Sequence, residues 1–401
     1  MRRNLLTAEQ TARRLGVKLE TVYAYVSRGV LSRTLADDGR TSRFDSKEVD
    51  ALAQRGRPRA GEKRSGGVEV TLATAITGIQ NDRLFYRGYD ATRLAREQRF
   101  EAVAELLWTG SLPDAAPTWP EPRSMGRKLH APKEAGPLDW LPLITAALAP
   151  EYPLRVDLAP ERVCEHARIL LSAFAAFLPL VGKAAVTRKG PLSVAARLFP
   201  RFSPLPATSA RVELLNAALV LLADHELATS TLAARVAAST RADPFAVVLA
   251  GLGAVSGPLH GRAAGRVQRL VEDAAGSSAE AAIARVVAGG ERIPGFGHPV
   301  YRGIDPRAAY LLEAVYQSLK PAERVVFERL AREGARTSTR EPNADFALGG
   351  LAFALEMPVG STEAILATAR TAGWVAHAIE EYAEAPLRFR AKSIYVGEPE
   401  R

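Results

Sequence analysis

"IPGFGHPVYRGIDPR", Ile293 to Arg307, gathers a histidine, two arginines and an aspartate between glycines and prolines. Gly295 and Gly297 let a backbone approach a ligand closely, while Pro294, Pro299 and Pro306 stiffen the path. The chain has only six histidines, and one of them stands here beside Arg302 and Arg307. A core turn has little use for that combination, whereas an anion-binding loop needs it. The stretch therefore reads as a ligand site.

Working outward, three more stretches place a potential acid, base or anion ligand beside a turn signal. They are "ADHELATST" from Ala223, "SGPLHGRAAG" from Ser256 and "EPNADFALG" from Glu341. A single helix-borne histidine such as His225 is more often a core residue than a ligand. Taken together, His225, His260, His298, Asp345 and the arginines make a different inventory. It suits proton abstraction next to a carbonyl in the presence of anionic substrates.

The sequence around these stretches is rich in Ala, Leu, Arg and Glu with helical periodicity, as in "RFEAVAELLWTG" and "TEAILATARTAGWVAHAIEEYAEA". The body is expected to be mainly α. "VEVTLATAITGIQNDRLFYRGYD" is β-branched and aromatic and predicts a short hairpin or small sheet. The segment from Pro113 to Pro160 has no clear pattern. Hydrophobic content of 47% and charged content of 24% are those of an ordinary globular protein. The longest apolar run, Ile169 to Gly182, is too short to span a bilayer. The opening residues lack the marks of a signal peptide. One cysteine, Cys164, excludes an internal disulfide and reads as a small buried hydrophobe in a reducing compartment. A cytoplasmic protein is expected, with no membrane partner.

The net charge of +9 is uneven: residues 1–67 carry 15 Lys and Arg against 8 Asp and Glu. In "LTAEQTARRLGVKLETVYAYVSRGVL", Thr7 can cap a helix bearing Ala8, Ala12 and Leu15, Gly16 breaks it, and a second helix follows with Val22 and Val26 inward. "GRTSRFDSKEVDAL" adds a basic hairpin or wing and a further helix. The pattern resembles the small helix-turn-helix domains of the MerR and excisionase type. Tyr23, Tyr25, Arg28 and Arg43 are the candidate DNA contacts. "RGRPRAGEKRSGG", Arg55 to Gly67, reads as a basic linker after a domain spanning 1–54.

From residue 68 onward the chain resembles the citrate synthases. "YRGYD", "FEAVAELLWTGSLP", "ADHE", "GPLHG", "GFGHPVYRGIDPR", "PNAD", "RTAGWVAH" and "RFRAKSIYVG" occur in that family's order. The resemblance implies a two-domain helical body, with a large domain at 68–261 and 357–401 and an inserted small domain at 262–356. It implies condensation of acetyl-CoA with oxaloacetate and water to citrate and CoA. No cofactor or metal is called for, the acyl-CoA being a substrate.

Position by position, the resemblance makes Asp345 the base, His260 the partner of the thioester oxygen and His298 the donor to the keto oxygen. It makes His225, Arg307 and Arg370 ligands of oxaloacetate. It also makes Arg390 a ligand contributed by the partner subunit, and so implies a homodimer with shared sites. Arg292 and Arg302 are candidates for the CoA phosphates, and Gly295 and Gly297 would leave room for the adenine. His130, His166 and His377 are left as structural or surface residues. Ala228 departs from the family, whose bacterial members usually carry asparagine there. Two alternatives stay open: a 2-methylcitrate synthase using propionyl-CoA, and a DNA-binding regulator that senses acyl-CoA or oxaloacetate through a synthase-like body.

Overall fold

The computed structural model describes residues 5–15, 17, 19–27, 31–36, 41–49, 70–122, 129–132, 134–183 and 191–390. The expected linker at 55–67 and Arg28 lie outside these residues. The chain divides into two units, Met1–Leu72 and Ala73–Arg401.

In the first unit Thr7 and Gln10 cap the helix Ala8–Leu15 reciprocally. The Gln10 amide donates to Thr7 Oγ1 at 3.1 Å, and the Thr7 amide donates to Gln10 Oε1 at 2.9 Å. The helix Leu19–Ser27 follows, with Val22 fully buried. The expected hairpin forms from Thr34–Leu35 and Ser42–Asp45, and Leu5–Thr7 joins as a third antiparallel strand on the far edge of Ser42–Asp45. Ala12, Val22, Leu31, Phe44 and Val49 make a separate small core.

The second unit begins with a three-stranded antiparallel sheet, Thr77–Gln80, Arg83–Tyr86 and Tyr89–Asp90. Its first turn is the two-residue Asn81–Asp82 pair, both at positive φ (52° and 57°). That is the geometry of a type I′ hairpin, which Asn and Asp tolerate because their short polar side chains fit the left-handed region. Tyr86 anchors the hairpin: its hydroxyl lies 3.1 Å from the Leu221 carbonyl and 3.0 Å from that of Asp224.

The remaining elements are helices packed in two sets. One surrounds Ser361–Tyr382, which is buried on nearly every side through His377 and packs against Thr229–Ser239, Pro244–Val255 and Pro160–Phe177, among others. A helix buried all round has no polar face, as expected at the centre of a large domain. Gly373 makes this packing possible: a Cβ there would collide with Asp224 Oδ1 and the Ala223 carbonyl. The other set packs Ala263–Gly276 and Pro306–Ser318 on Ala344–Ala354, with Pro321–Ser338 against Ala263–Gly276 and its Phe327 ring stacked on Phe346 at 4.9 Å. Within the unpatterned Pro113–Pro160 segment, Trp119 is buried and stacks on Trp108 at 5.6 Å, and its indole N–H donates to Glu105 at 3.0 Å. Helix Pro137–Leu148 follows.

Candidate active site

Two sequence-distant loops are zipped together to build the site. The Gly297 amide donates to the Glu341 carbonyl at 2.8 Å, and the Asn343 amide to the Gly295 carbonyl at 2.8 Å. Asn343 also donates from its side chain to the Gly297 carbonyl at 2.7 Å, while its Oδ1 caps the helix Ala344–Ala354 through the Asp345 and Phe346 amides. This brings the His298 loop against the helix that begins at Asp345. Gly295 adopts φ +86°, and a Cβ there would lie 2.7 Å from Val267 Cγ2. Gly297 adopts φ +78° with Arg340 packed over it. The chain's own packing therefore requires both glycines.

Asp305 is the second fastener. It caps the helix Pro306–Ser318, accepts the Arg307 guanidinium as a fork (3.0 and 2.8 Å), and takes the Ala344 amide at 3.0 Å. Arg307 is thereby held rigid and only 5% exposed, with Nη1 meeting no acceptor among the described residues. The Val300 amide donates to His298 Nδ1 at 3.1 Å, which assigns the ring proton to Nε2 in the neutral imidazole. Arg307 Nη2 stands 3.4 Å from that Nε2. With the proton on Nε2 the two nitrogens are neighbouring donors, and a carbonyl or carboxylate oxygen placed beside them could accept from both.

On the opposite side, both the Ser230 amide (3.4 Å) and its hydroxyl (2.8 Å) address His260 Nε2, and Trp374 Nε1 donates to the Ser230 oxygen at 3.2 Å. Nε2 is then the acceptor and Nδ1 carries the proton. His225 contacts the Tyr301 hydroxyl through Nε2 at 3.0 Å. Arg370 is 3% exposed, and its Nε donates to the Leu222 carbonyl at 3.0 Å. Its terminal nitrogens meet no acceptor among the described residues, and no carboxylate there lies within ion-pair distance. A buried guanidinium without an acid is a receptor for an anion.

Burial sets the charge states. It pushes Asp345 up to about 6, opposed by Arg307 and Arg370 and assisted by Asp305 and Glu363. Burial, reinforced by the Arg307 guanidinium, pushes His298 down to about 4. Burial and Arg370 lower His260, and burial with Arg307 and Arg370 lowers His225 well below the ordinary range. All three imidazoles are neutral at neutral pH, and the carboxylate is a stronger base than usual.

His225, His260, His298, Arg307, Asp345 and Arg370 all line one cavity of about 450 Å³. Its apolar wall includes Leu222, Leu227, Ala228 and Leu366, and Leu259 stands fully exposed at its edge. Ala228 is the N-cap of Thr229–Ser239 and supplies no side-chain hydrogen bond. Arg292 and Arg302 are exposed and outside the cavity lining, as is Arg390. In the first unit Tyr23 is exposed, Tyr25 packs partly on that unit's own core, and Arg43 sits half-buried on strand Ser42–Asp45.

The sequence reading missed Asp305, Asn343, Ser230, Trp374 and Tyr301. Only the Asp-Pro-Arg and Pro-Asn-Ala-Asp runs carried a local sign of the first two, as helix-cap patterns. His377, read as structural, is fully buried and bridges Arg235 (2.9 Å) and Asp224 (3.3 Å).

A family described as "Citrate synthase, C-terminal domain" matches residues 67–392, and one described as "Helix-turn-helix domain" matches 5–57. The chain is 29% identical to the citrate synthase of Acidithiobacillus ferridurans, over 84% of this chain and 96% of that protein. It is also 29% identical to the 2-methylcitrate synthase of Mycobacterium tuberculosis (strain H37Rv), over 86% and 92%. The crystal structure of citrate synthase from Thermotoga maritima superposes with a TM-score of 0.68 at 27% identity, covering 84% of this chain and 96% of that one. Among the described residues no helix is long and apolar enough to cross a membrane. Fold and sequence agree: the chain belongs to the citrate synthase family and carries a helix-turn-helix domain ahead of its synthase body.

Proposed function

We propose that the body condenses an acyl-CoA with oxaloacetate and water, releasing CoA and citrate or 2-methylcitrate. The observation that carries this reading is Asp345, a carboxylate pushed up to about 6 on the wall of a cavity that also holds neutral His260 and His298. Asp345 takes a proton from the carbon next to the thioester carbonyl. His260 Nδ1–H hydrogen-bonds the thioester oxygen as it gains charge. The enol carbon then attacks the keto carbon of oxaloacetate, whose oxygen receives hydrogen bonds from His298 Nε2–H and Arg307. The adduct still carries its thioester, so water completes the reaction by hydrolysing it. Arg370, Arg307 and His225 bind the two carboxylates of oxaloacetate, the guanidiniums through charge-assisted hydrogen bonds. The family uses no cofactor, CoA arriving as part of the substrate. Arg292 and Arg302, with Gly297 on the cavity wall, form the proposed CoA approach, while Gly295, packed against Val267 and Phe346, shapes the loop rather than leaving room for the adenine.

The acyl group is acetyl or propionyl. Relatives of both kinds match at equal identity, and one methylene is worth only about 1–3 kcal/mol of discrimination. A CoA-release assay with acetyl-CoA and propionyl-CoA, each with and without oxaloacetate, tests the function and ranks the substrates. Release that does not depend on oxaloacetate would overturn the condensation.

The grouping of the helices into two sets supports a division of the body into a large domain (68–261 and 357–401) and a small domain (262–356), whose closure would expel water before the enol forms. We further propose a homodimer in which Arg390 reaches the neighbour's site, in keeping with its exposure outside its own cavity. Mixing Asp345→Asn subunits with Arg390→Ala subunits should then restore activity in mixed dimers, because one of the two sites regains both residues. Mixed dimers that form and stay inactive would refute the shared site.

The basic first unit is proposed to bind DNA, with Tyr23, Arg28 and Arg43 as contacts and Tyr25 partly committed to its own core. A homodimer presents two such modules, so paired half-sites are expected. A chain starting near Gly67 should keep synthase activity and lose DNA affinity. In the full-length protein each neutralised phosphate should add about −0.9 to the slope of log affinity against log salt. Absence of salt-dependent binding to its own upstream DNA and to random duplex would remove this half of the proposal.

A further inference from the structure

The loop that carries His298 and Tyr301 and leads into the helix bearing Arg307 is tied to the body at a point outside the cavity. Asp82, the second residue of the type I′ turn, accepts the Arg302 amide at Oδ1 (2.8 Å) and the Gly303 amide at Oδ2 (3.1 Å), across 220 and 221 residues of sequence. One carboxylate therefore holds two consecutive amides of the loop through charge-assisted hydrogen bonds. Tyr301, adjacent to this clamp, spans the site: its hydroxyl bonds His225, its ring lies 4.7 Å from that of His298, and the Arg307 guanidinium sits 5.6 Å above it. At its other end the same hairpin is fixed by the Tyr86 hydroxyl to the carbonyls of Leu221 and Asp224, next to His225. The hairpin Thr77–Tyr86 thus grips both halves of the keto-acid site, one through Asp82 and one through Tyr86.

We propose that Asp82 is a positioning residue for the keto-acid site, setting the His298–Arg307 loop against His225 by clamping the Arg302 and Gly303 amides. This rests on the reading of the cavity as an oxaloacetate site. Misplacement of such donors by about 1 Å can cost roughly a hundredfold in rate, so a residue that touches no substrate has a measurable kinetic effect. The effect falls more on oxaloacetate than on the acyl-CoA. Tyr301, next to the clamp, touches His225, His298 and Arg307, whereas Arg302 would meet CoA only through its long exposed side chain. Ser230 and Trp374, which hold His260, lie beyond the clamp.

Asp82→Gly is the informative variant. It puts an Asn-Gly pair in the turn, the preferred sequence for type I′, so the hairpin keeps its shape while the carboxylate is lost. The expected result is a roughly tenfold or greater rise in oxaloacetate KM with a fall in kcat, a clearly smaller rise in acyl-CoA KM through Arg302, and an unchanged thermal midpoint. Asp82→Asn, which retains one acceptor, should fall between Asp82→Gly and wild type. Wild-type kinetic constants in both variants would overturn the proposal, as would equal rises in both KM values. Calorimetric titration with oxaloacetate alone separates this inference from the function it rests on. If the wild type binds oxaloacetate without turnover, the condensation reading fails and the clamp is judged by the affinities of wild type and Asp82→Gly. If the wild type does not bind oxaloacetate, both fail.

Discussion

Asp345→Asn should fold, bind both substrates and lose about 10²–10⁴-fold in turnover, the range for removing a general base. The same substitution should make the protein more stable at neutral pH. The carboxyl titrates near 6 in the folded chain against 3.8 ordinarily, so between those values the folded state holds more proton than the unfolded one. Wild-type stability therefore falls as pH rises through this window, and the full penalty is present above about pH 6. Asparagine carries no charge and escapes it. The gain should be on the order of 1–2 kcal/mol at pH 7.5, discounted for the carboxylate's partial opening to the cavity, and should vanish below about pH 4. Activity has the opposite dependence: wild-type kcat/KM should drop as pH falls through about 6 and the base is protonated. Chemical denaturation of both proteins at pH 7.5 and 4, with a pH–rate profile, checks the pair. A variant that is folded, active and no more stable would contradict both assignments.

Arg370→Lys should raise oxaloacetate KM by roughly tenfold to a hundredfold while acyl-CoA KM changes little. Lysine keeps the charge but replaces a planar fork with a single ammonium on a shorter reach. Among the described residues the guanidinium has no carboxylate partner, so little internal structure is lost by the exchange, and the deficit falls on the ligand. Burial lowers the pKa of Arg370, which fits a cation whose partner arrives only with the substrate. Initial-rate measurements varying each substrate in turn separate the two constants. Equal weakening of both would mean that this arginine does not hold the keto-acid.

Much of the site was legible because its parts are local. His298 lies in a loop whose glycines and prolines announce an unusual backbone, Arg307 begins the helix that this loop runs into, and Asp345 follows a helix-cap asparagine by two residues. The hairpin was legible from its β-branched residues, and the first unit from two short helices and a wing. What could not be read were contacts between segments far apart in sequence. Ser230 is an ordinary helix serine until Trp374, 144 residues later, and His260 are packed against it. Asp82 looks like any turn residue until the loop at Arg302 and Gly303 arrives. The helix Ser361–Tyr382 hides its partners, because burial on nearly every side leaves no polar stripe to orient it. Trp119 shows why Pro113–Pro160 resisted reading: its place is fixed by stacking on Trp108 and by Glu105, not by periodicity.

The central claim is that Asp345 removes a proton from the acyl carbon. Malate, which has no keto carbon to attack, should fill the oxaloacetate site and leave enolisation as the only available step. In heavy water with acetyl-CoA and malate, nuclear magnetic resonance should detect deuterium entering the acetyl methyl group with the wild-type protein and not with Asp345→Asn. Exchange by Asp345→Asn at the wild-type rate would contradict the account.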